Sequence, residues 1–242
     1  CKKIGTMQEG PHWYFQDYPL HQQIWFYNCL MEMDVIFAHN EIDVDYYKGL
    51  TEKQNVFQNK SLMIEDKIEP HIINTDARDG VIIGGNMVRW YGGFDSYIIA
   101  QEFGEKIFAP SMGRKIDREE EMDITHLPYM KWLDWVNNLS QFKYAVHLMP
   151  TFAAGTFALN CAYHGIPCIG YEGLDTQSHC HPQLTVKMND LNGARKLADK
   201  LKSDNGFYET ACQTAKRNFN VFFGEDEYTY NMKEVIKKVM SD

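Results

Sequence analysis

Between residues 149 and 170 the chain reads Met-Pro-Thr-Phe-Ala-Ala-Gly-Thr-Phe-Ala-Leu-Asn-Cys-Ala-Tyr-His-Gly-Ile-Pro-Cys-Ile-Gly. An apolar run, Tyr144–Leu148, leads into it and predicts a strand that stops at Met149-Pro150. Gly155–His164 reads as a helix, with Gly165 just past its end, where a left-handed backbone is favoured. Pro167–Tyr171 is the next apolar strand. Strand, small-residue loop, helix and strand in this order make a β-α-β unit. A chain built of such units folds as α/β layers on a mostly parallel sheet.

The same alternation runs along the rest of the chain. Lys3–Met7 reads as a strand ending at the turn Glu9-Gly10-Pro11, and Leu20–Met33 as an aromatic-rich, well-buried helix. Val35–Ala38 is a buried strand, and Glu41–Leu50 a helix. Residues 51–70 are polar and break at Pro70; they read as a connector with one possible strand near Ser61–Ile64. A second run then begins with the strand Val81–Ile83 and continues through helix Phe94–Phe103 and strand Lys106–Ala109. Residues 111–126 form a highly charged loop that includes Arg114 and Lys115. Met130–Phe142 is an amphipathic helix whose tryptophans read as core, and Leu184–Val186 a strand. Helices follow at Leu191–Ser203, Phe207–Phe219 and Tyr228–Met240. The organisation is the tail of one α/β domain, a connector, a complete second α/β domain and a terminal helix, with the break near residues 68–79.

Composition narrows the function classes. Of 242 residues, 44% are hydrophobic and 14% aromatic, which suits a packed core and excludes a disordered chain. Acidic residues number 33 against 24 basic ones, so nucleic acid and anionic membrane surfaces are poor default partners. A local basic pocket remains compatible with that average. No run approaches the roughly 18 apolar residues of a transmembrane helix, and no secretory signal pattern opens the chain. The start at Cys1-Lys2-Lys3, without Met, reads as the interior of a longer protein. The six cysteines have no repeating spacing and suit reduced thiols of an intracellular, cytoplasmic protein.

Two loops carry candidate chemistry. Ala153-Ala154-Gly155-Thr156 opens a helix, where unpaired backbone N–H groups and the helix dipole favour a phosphate without any lysine. The alternative is an ordinary β-α-β unit whose small residues allow close packing. Val81–Ile83 leads into Gly84-Gly85, a lone Arg89 and Gly92-Gly93. Glycines let a backbone approach a ligand, and Arg89 offers planar donors to a diphosphate; the alternative is a turn with a surface arginine. His179-Cys180-His181, with Cys168 nearby, lacks metal-ligand spacing, because adjacent residues do not easily share one tetrahedral ion. No metal site is expected.

This order of elements resembles the C-terminal half of GT-B-type glycosyltransferases, which use nucleotide-sugar donors. The carriers of the resemblance are the glycine loop with Arg89, Pro150-Thr151, and Gly165-Ile166-Pro167-Cys168-Ile169, within about residues 78–222. It implies two Rossmann-like domains, the first only partly present. Residues 1–68 would be the end of the acceptor-side domain with its connector, 69–225 the donor domain, and 226–242 a helix packing back toward the first. The implied activity is transfer of a sugar, hexosyl in kind, from a nucleoside-diphosphate sugar to a hydroxyl acceptor. The donor is a co-substrate, and neither cofactor nor metal is required.

By the same resemblance Gly84, Gly85, Arg89, Thr151, Gly155 and Thr156 hold the diphosphate, and Asp175 and Gln177 the sugar hydroxyls. The last pair matches only as Asp-x-Gln, and a solvated loop is its alternative. Many retaining members carry two glutamates across the loop and helix, at positions matching Phe152 and Asn160 here, so stereochemistry stays open. A lysine usual after the arginine is replaced by Tyr91-Gly92-Gly93. Glu9 and His12, at the first strand's end, are the candidate catalytic bases, with His39 a further one; their alternative is a surface turn. The competing functions are a nucleotide-sugar epimerase of the same architecture and a non-catalytic nucleotide- or protein-binding module.

Overall fold

The computed structural model describes residues 3–68, 77–111, 113 and 115–241. Cys1, Arg114 and most of the anticipated break near 68–79 lie outside the described residues.

The described residues build two parallel sheets. The first contains β1 (Gly5–Gln8), β2 (Val35–Ala38) and β3 (Val56–Gln58), in that spatial order. Its register pairs Ile36 with Thr6 and with Val56. Helices α1 (Leu20–Glu32) and α2 (Glu41–Thr51) are the crossovers that parallel pairing demands. Ile36, Leu30, Val44, Tyr47 and Val56 form the buried cluster beneath them.

The second sheet holds β4 (Val81–Ile83), β5 (Ile107–Ala109), β6 (Thr125–His126), β7 (Tyr144–His147), β8 (Cys168–Tyr171) and β9 (Thr185–Val186). Its order is β6-β5-β4-β7-β8-β9, and every pairing is parallel. Successive side chains point to opposite faces of a strand, so Val81 and Ile83 join one core with Val146, Tyr171 and Leu201, while Ile82 joins another with Ala145, Cys168 and Phe142. The first core is covered by α3 (Gly93–Ala100) and α7 (Leu191–Ser203). The second is covered by α4 (Trp132–Leu139) and α5 (Thr156–Tyr163). Both faces are buried, which is why these strands read as unbroken apolar runs.

Helix α6 (Asp175–Cys180) and α8 (Asn205–Phe223) pack on α5, and α9 (Glu225–Ser241) follows. Asp190 caps α7 by accepting from the Gly193 N–H, and Asp204 caps α8 by accepting from the Phe207 N–H. Helix α9 lies beside the first sheet: Lys238 Nζ sits 5.1 Å from the Phe57 ring centroid. The Arg78 guanidinium staples the helix ends, donating to the carbonyls of Ser140, His164 and Gly165. No described helix is long and apolar enough to cross a membrane.

Several local expectations are corrected. Helix α1 is far from well buried: Leu20 is 70% and Trp25 69% exposed, and Leu30 is its one buried residue. Apolar residues cover more of its circumference than one sheet and α2 can meet. The connector's strand is Val56–Gln58, not Ser61–Ile64. The charged segment 111–126 conceals β6, whose sheet partner Phe108–Ala109 supplies the pairing that propensity does not. Within it Glu119 is buried, its carboxylate 3.2 Å from His126 Nε2. Asp175-Thr176-Gln177 opens a helix and is not a loop. Trp132 is exposed, and Trp135 alone of that pair packs into the core.

Candidate active site

Strand order reverses between β4 and β7. In open parallel sheets such a switch point leaves a crevice at the carboxyl ends of the strands, where ligands bind. A cleft of about 490 Å³ lies there, with Gly85, His147, Gly155, Thr156, Tyr129 and Trp135 among its walls.

The loops at the two strand ends are pressed together. A Cβ on Gly84 would stand 2.5 Å from the His147 ring and 2.7 Å from Phe157, so only glycine lets β4 end this close to β7 and α5. The Thr151 hydroxyl donates to the Trp90 carbonyl at 2.9 Å, tying the second loop to the first. Arg89 is exposed, in a 3-10 turn spanning Arg89–Tyr91.

Gly155 stands at the N-cap of α5 with φ +66°, and a Cβ there would meet Thr176 Oγ1 at 2.2 Å. The Thr176 hydroxyl donates to the Gly155 carbonyl at 2.9 Å. The two preceding carbonyls are also held. Asn40 Nδ2 donates to Ala153 O at 2.8 Å, and Ser61 Oγ to Ala154 O at 2.5 Å. Across a trans peptide the N–H points opposite to the C=O. With these carbonyls turned toward the first sheet's loops, the N–H groups of Ala154 and Gly155 turn the other way. They join the unpaired first-turn N–H groups of α5, and Thr156 is exposed beside them. No charged residue occurs anywhere from Met149 to Gly170, so backbone dipoles are the polarity this loop offers an anion.

His147 closes the floor. It is 6% exposed, both ring nitrogens lack a hydrogen-bond partner among the described residues, and its ring stands edge-on to Phe157 at 5.0 Å. Burial pushes its pKa down to about 4, so it is a neutral imidazole near pH 7.

On the other side of the loop stands His12. Its Nδ1 is 2.9 Å from Asp43 Oδ1, and its ring stacks on Tyr46 at 4.4 Å. Asp43, on α2, is buried. Asn40 Nδ2 donates to the other Asp43 oxygen at 3.2 Å as well as to Ala153 O. His12 therefore connects to the Gly155 loop through Asp43 and Asn40. A carboxylate beside Nδ1 favours the tautomer with its hydrogen on that nitrogen. Glu9 is exposed at the end of β1. His39 hydrogen-bonds the Asn59 carbonyl at 2.9 Å; burial lowers its pKa, and that carbonyl and then the charges of Glu9 and Asp43 oppose the shift.

Of the remaining candidates, Asp175 sits at the seam between the sheets and Gln177 within the second. The Asp175 carboxylate accepts from the Glu41 N–H at 3.0 Å and from Gln58 Nε2, and the Asp175 N–H donates to Asn40 Oδ1 at 3.1 Å. Burial raises its pKa. Gln177 is buried against β8 and donates to the Cys168 carbonyl at 2.9 Å. No cluster of three or more His, Cys, Asp or Glu side chains able to hold a metal occurs among the described residues. In the His179–His181 triplet, His179 stacks on Phe222 while His181 Nε2 lies 3.0 Å from the Ala158 carbonyl.

No family model matches the sequence, and no curated protein matches it. Solved structures do. Sucrose-phosphate synthase from Thermosynechococcus elongatus aligns with a TM-score of 0.73 at 12% identity, over 93% of this chain and 63% of its own. Anabaena Alr3699/HepE, solved with UDP and glucose, gives 0.72 at 9% identity, over 92% of this chain and 68% of its own. An alpha-glucosyltransferase solved with UDP and a DNA 13-mer containing an HMU base gives 0.70 at 12% identity, over 97% of this chain and 72% of its own. The chain thus spans about two thirds of these structures, and half of another, TarM. The fold is that of GT-B glycosyltransferases, with Rossmann-like parallel sheets, the first of them represented here by three strands.

Sequence reasoning named both loops and His12 but missed Asp43, Asn40, Ser61 and His147. Asp43 had a local signal, an acid in the first turn of a predicted helix. The other three are read only from contacts between distant segments.

Proposed function

We propose that the protein transfers a hexosyl group from a nucleoside-diphosphate sugar to a hydroxyl acceptor. The observation that carries this reading is the Gly155 loop. It stands at the switch point, its carbonyls are held back, and it lines a cleft of about 490 Å³. Negative charge grows on the departing diphosphate, and fixed N–H groups at the α5 N-terminus, with Arg89, stabilise it where it grows. Gly84 and Gly85 let the donor approach the β4 end. His12, oriented by Asp43, takes the proton from the acceptor hydroxyl. In this reading residues 1–68 supply the acceptor side, 69–225 the donor side, and 226–242 a helix returning toward the first. The five described cysteines are free, which suits a cytoplasmic location.

A thermal-shift screen against UDP, GDP, ADP, TDP and CMP, with and without magnesium, tests the donor site. A ligand at 100 times its dissociation constant adds about 2.7 kcal/mol of stability. The expected result is a selective response to one diphosphate, unchanged by magnesium. The sugar nucleotide of that base then distinguishes the functions. A transferase releases free diphosphate and glycosylates an acceptor, an epimerase alters the sugar and keeps the diphosphate, and a binding module does neither.

A further inference from the structure

We infer that Asn40 and Ser61, from the loops that follow β2 and β3, are positioning residues that shape the diphosphate nest of the second sheet. The inference rests on the donor-site reading above and goes beyond it, because neither side chain touches the donor. Asn40 is 1% exposed, and both ends of its amide are hydrogen-bonded. Nδ2 donates to Ala153 O and to Asp43 Oδ2, while Oδ1 accepts from the Asp175 N–H. Two acceptors on one side and a donor on the other admit a single orientation of the amide. Ser61, 5% exposed, donates to the next carbonyl along, that of Ala154.

Two consecutive carbonyls are therefore fixed from outside their own sheet. Each fixed carbonyl sets the direction of the N–H across its peptide plane. The amides of Ala154 and Gly155 are turned away from the first sheet's loops by side chains that lie 113 and 93 positions from the carbonyls they hold. A glycine-containing loop without these tethers has the freedom to turn a peptide over and present a carbonyl, which repels phosphate. His147, whose ring nitrogens are buried without a partner among the described residues, lines the same cleft as the loop.

The test compares the wild-type chain with Ser61→Ala and Asn40→Leu, measuring binding of the best-responding nucleoside diphosphate, of inorganic pyrophosphate and of the matching nucleoside. Each lost tether is expected to weaken the diphosphate and pyrophosphate by about 3- to 10-fold, the scale of one hydrogen bond. Nucleoside binding and the unliganded Tm of Ser61→Ala should stay near wild type. A purely structural role would lower all three affinities together, and Ser61→Ala, which removes one hydroxyl, keeps the test valid if Asn40→Leu fails to fold. Equal diphosphate affinity in wild type and Ser61→Ala would overturn the inference while leaving the donor site standing. A wild type that binds none of the probes would overturn both.

Discussion

Asn40 and Ala153 stand 113 positions apart in the chain, and the Asn40 side chain donates a 2.8 Å hydrogen bond to the Ala153 carbonyl. The same nitrogen donates to Asp43, which holds His12. A candidate proton acceptor on one sheet and a candidate phosphate loop on the other are thereby kept in one register. Reactions that need a nucleophile and a leaving group in line depend on such relative placement.

In that arrangement His12 reaches Asn40 only through Asp43, so its role is separable from donor binding. His12→Gln is expected to lower kcat by about 10²- to 10⁴-fold, the usual contribution of a general base. Donor affinity by calorimetry should change little. Asp43→Asn should lower kcat too, by favouring the wrong imidazole tautomer. A His12→Gln enzyme with wild-type kcat would move the base to Glu9 or His39.

Gly155→Ala tests the loop itself. The residue has φ +66°, and the new Cβ would stand 2.2 Å from Thr176 Oγ1. Left-handed strain alone costs about 1–2 kcal/mol, and relief of the contact must move the loop or α6. Chemical denaturation should record the stability loss, and diphosphate binding should fall by at least about tenfold. Retained affinity would place the phosphates elsewhere.

Arg89 should behave in the opposite way. It is exposed, so Arg89→Ala should leave Tm unaltered. Loss of a charge-assisted hydrogen bond should cost about 1.5–3 kcal/mol of diphosphate binding. Titration at two salt concentrations should show weaker salt dependence in the variant. Identical isotherms would make Arg89 a surface residue.

Stability should fall on acidification for a specific reason. Burial lowers the pKa of His147 and His181 from the ordinary 6.5 to about 4. The unfolded chain binds these protons first, so the stability due to neutral burial is present above pH 6.5. It is lost as pH falls through the native values near 4, at about 3 kcal/mol per histidine. Urea unfolding across that range should show the slope, and His181→Gln should make it shallower by about one proton. An unchanged slope would mean that another group carries it.

Arg78 offers a stability test away from the cleft. Its guanidinium donates to three helix-end carbonyls, those of Ser140, His164 and Gly165. Arg78→Met keeps much of the stem but leaves these acceptors unpaired, and should cost about 2–4 kcal/mol in denaturant titration. A loss below about 0.5 kcal/mol, the range of an ordinary surface substitution, would show that water replaces it.

Elements with strong local signals were legible in the sequence. Helix α7 has the anticipated bounds, because Asp190 caps it and its apolar residues keep helical spacing. Strand β2 has the anticipated bounds as an apolar run before Asn40. Strand β6 was hidden because Thr125 and His126 are polar, and their strand state comes from pairing with Phe108 and Ala109. The Gly155 loop was visible from its glycine and small neighbours. Its tethers were not, since no local pattern says that Asn40 and Ser61 will meet carbonyls about a hundred positions away.

The uncharged stretch from Met149 to Gly170 has a consequence for descent. A recognition surface written in main-chain atoms persists through almost any exchange of side chains that preserves the turn. The 8–12% identities at which solved structures superpose on this chain show one fold carried by sequences that share few letters. What natural selection can still act on is the small set of groups that decide where the main chain points. Under the reading proposed above, those are a glycine, a serine and an asparagine scattered over three segments, a signature that alignment by neighbouring letters does not spell.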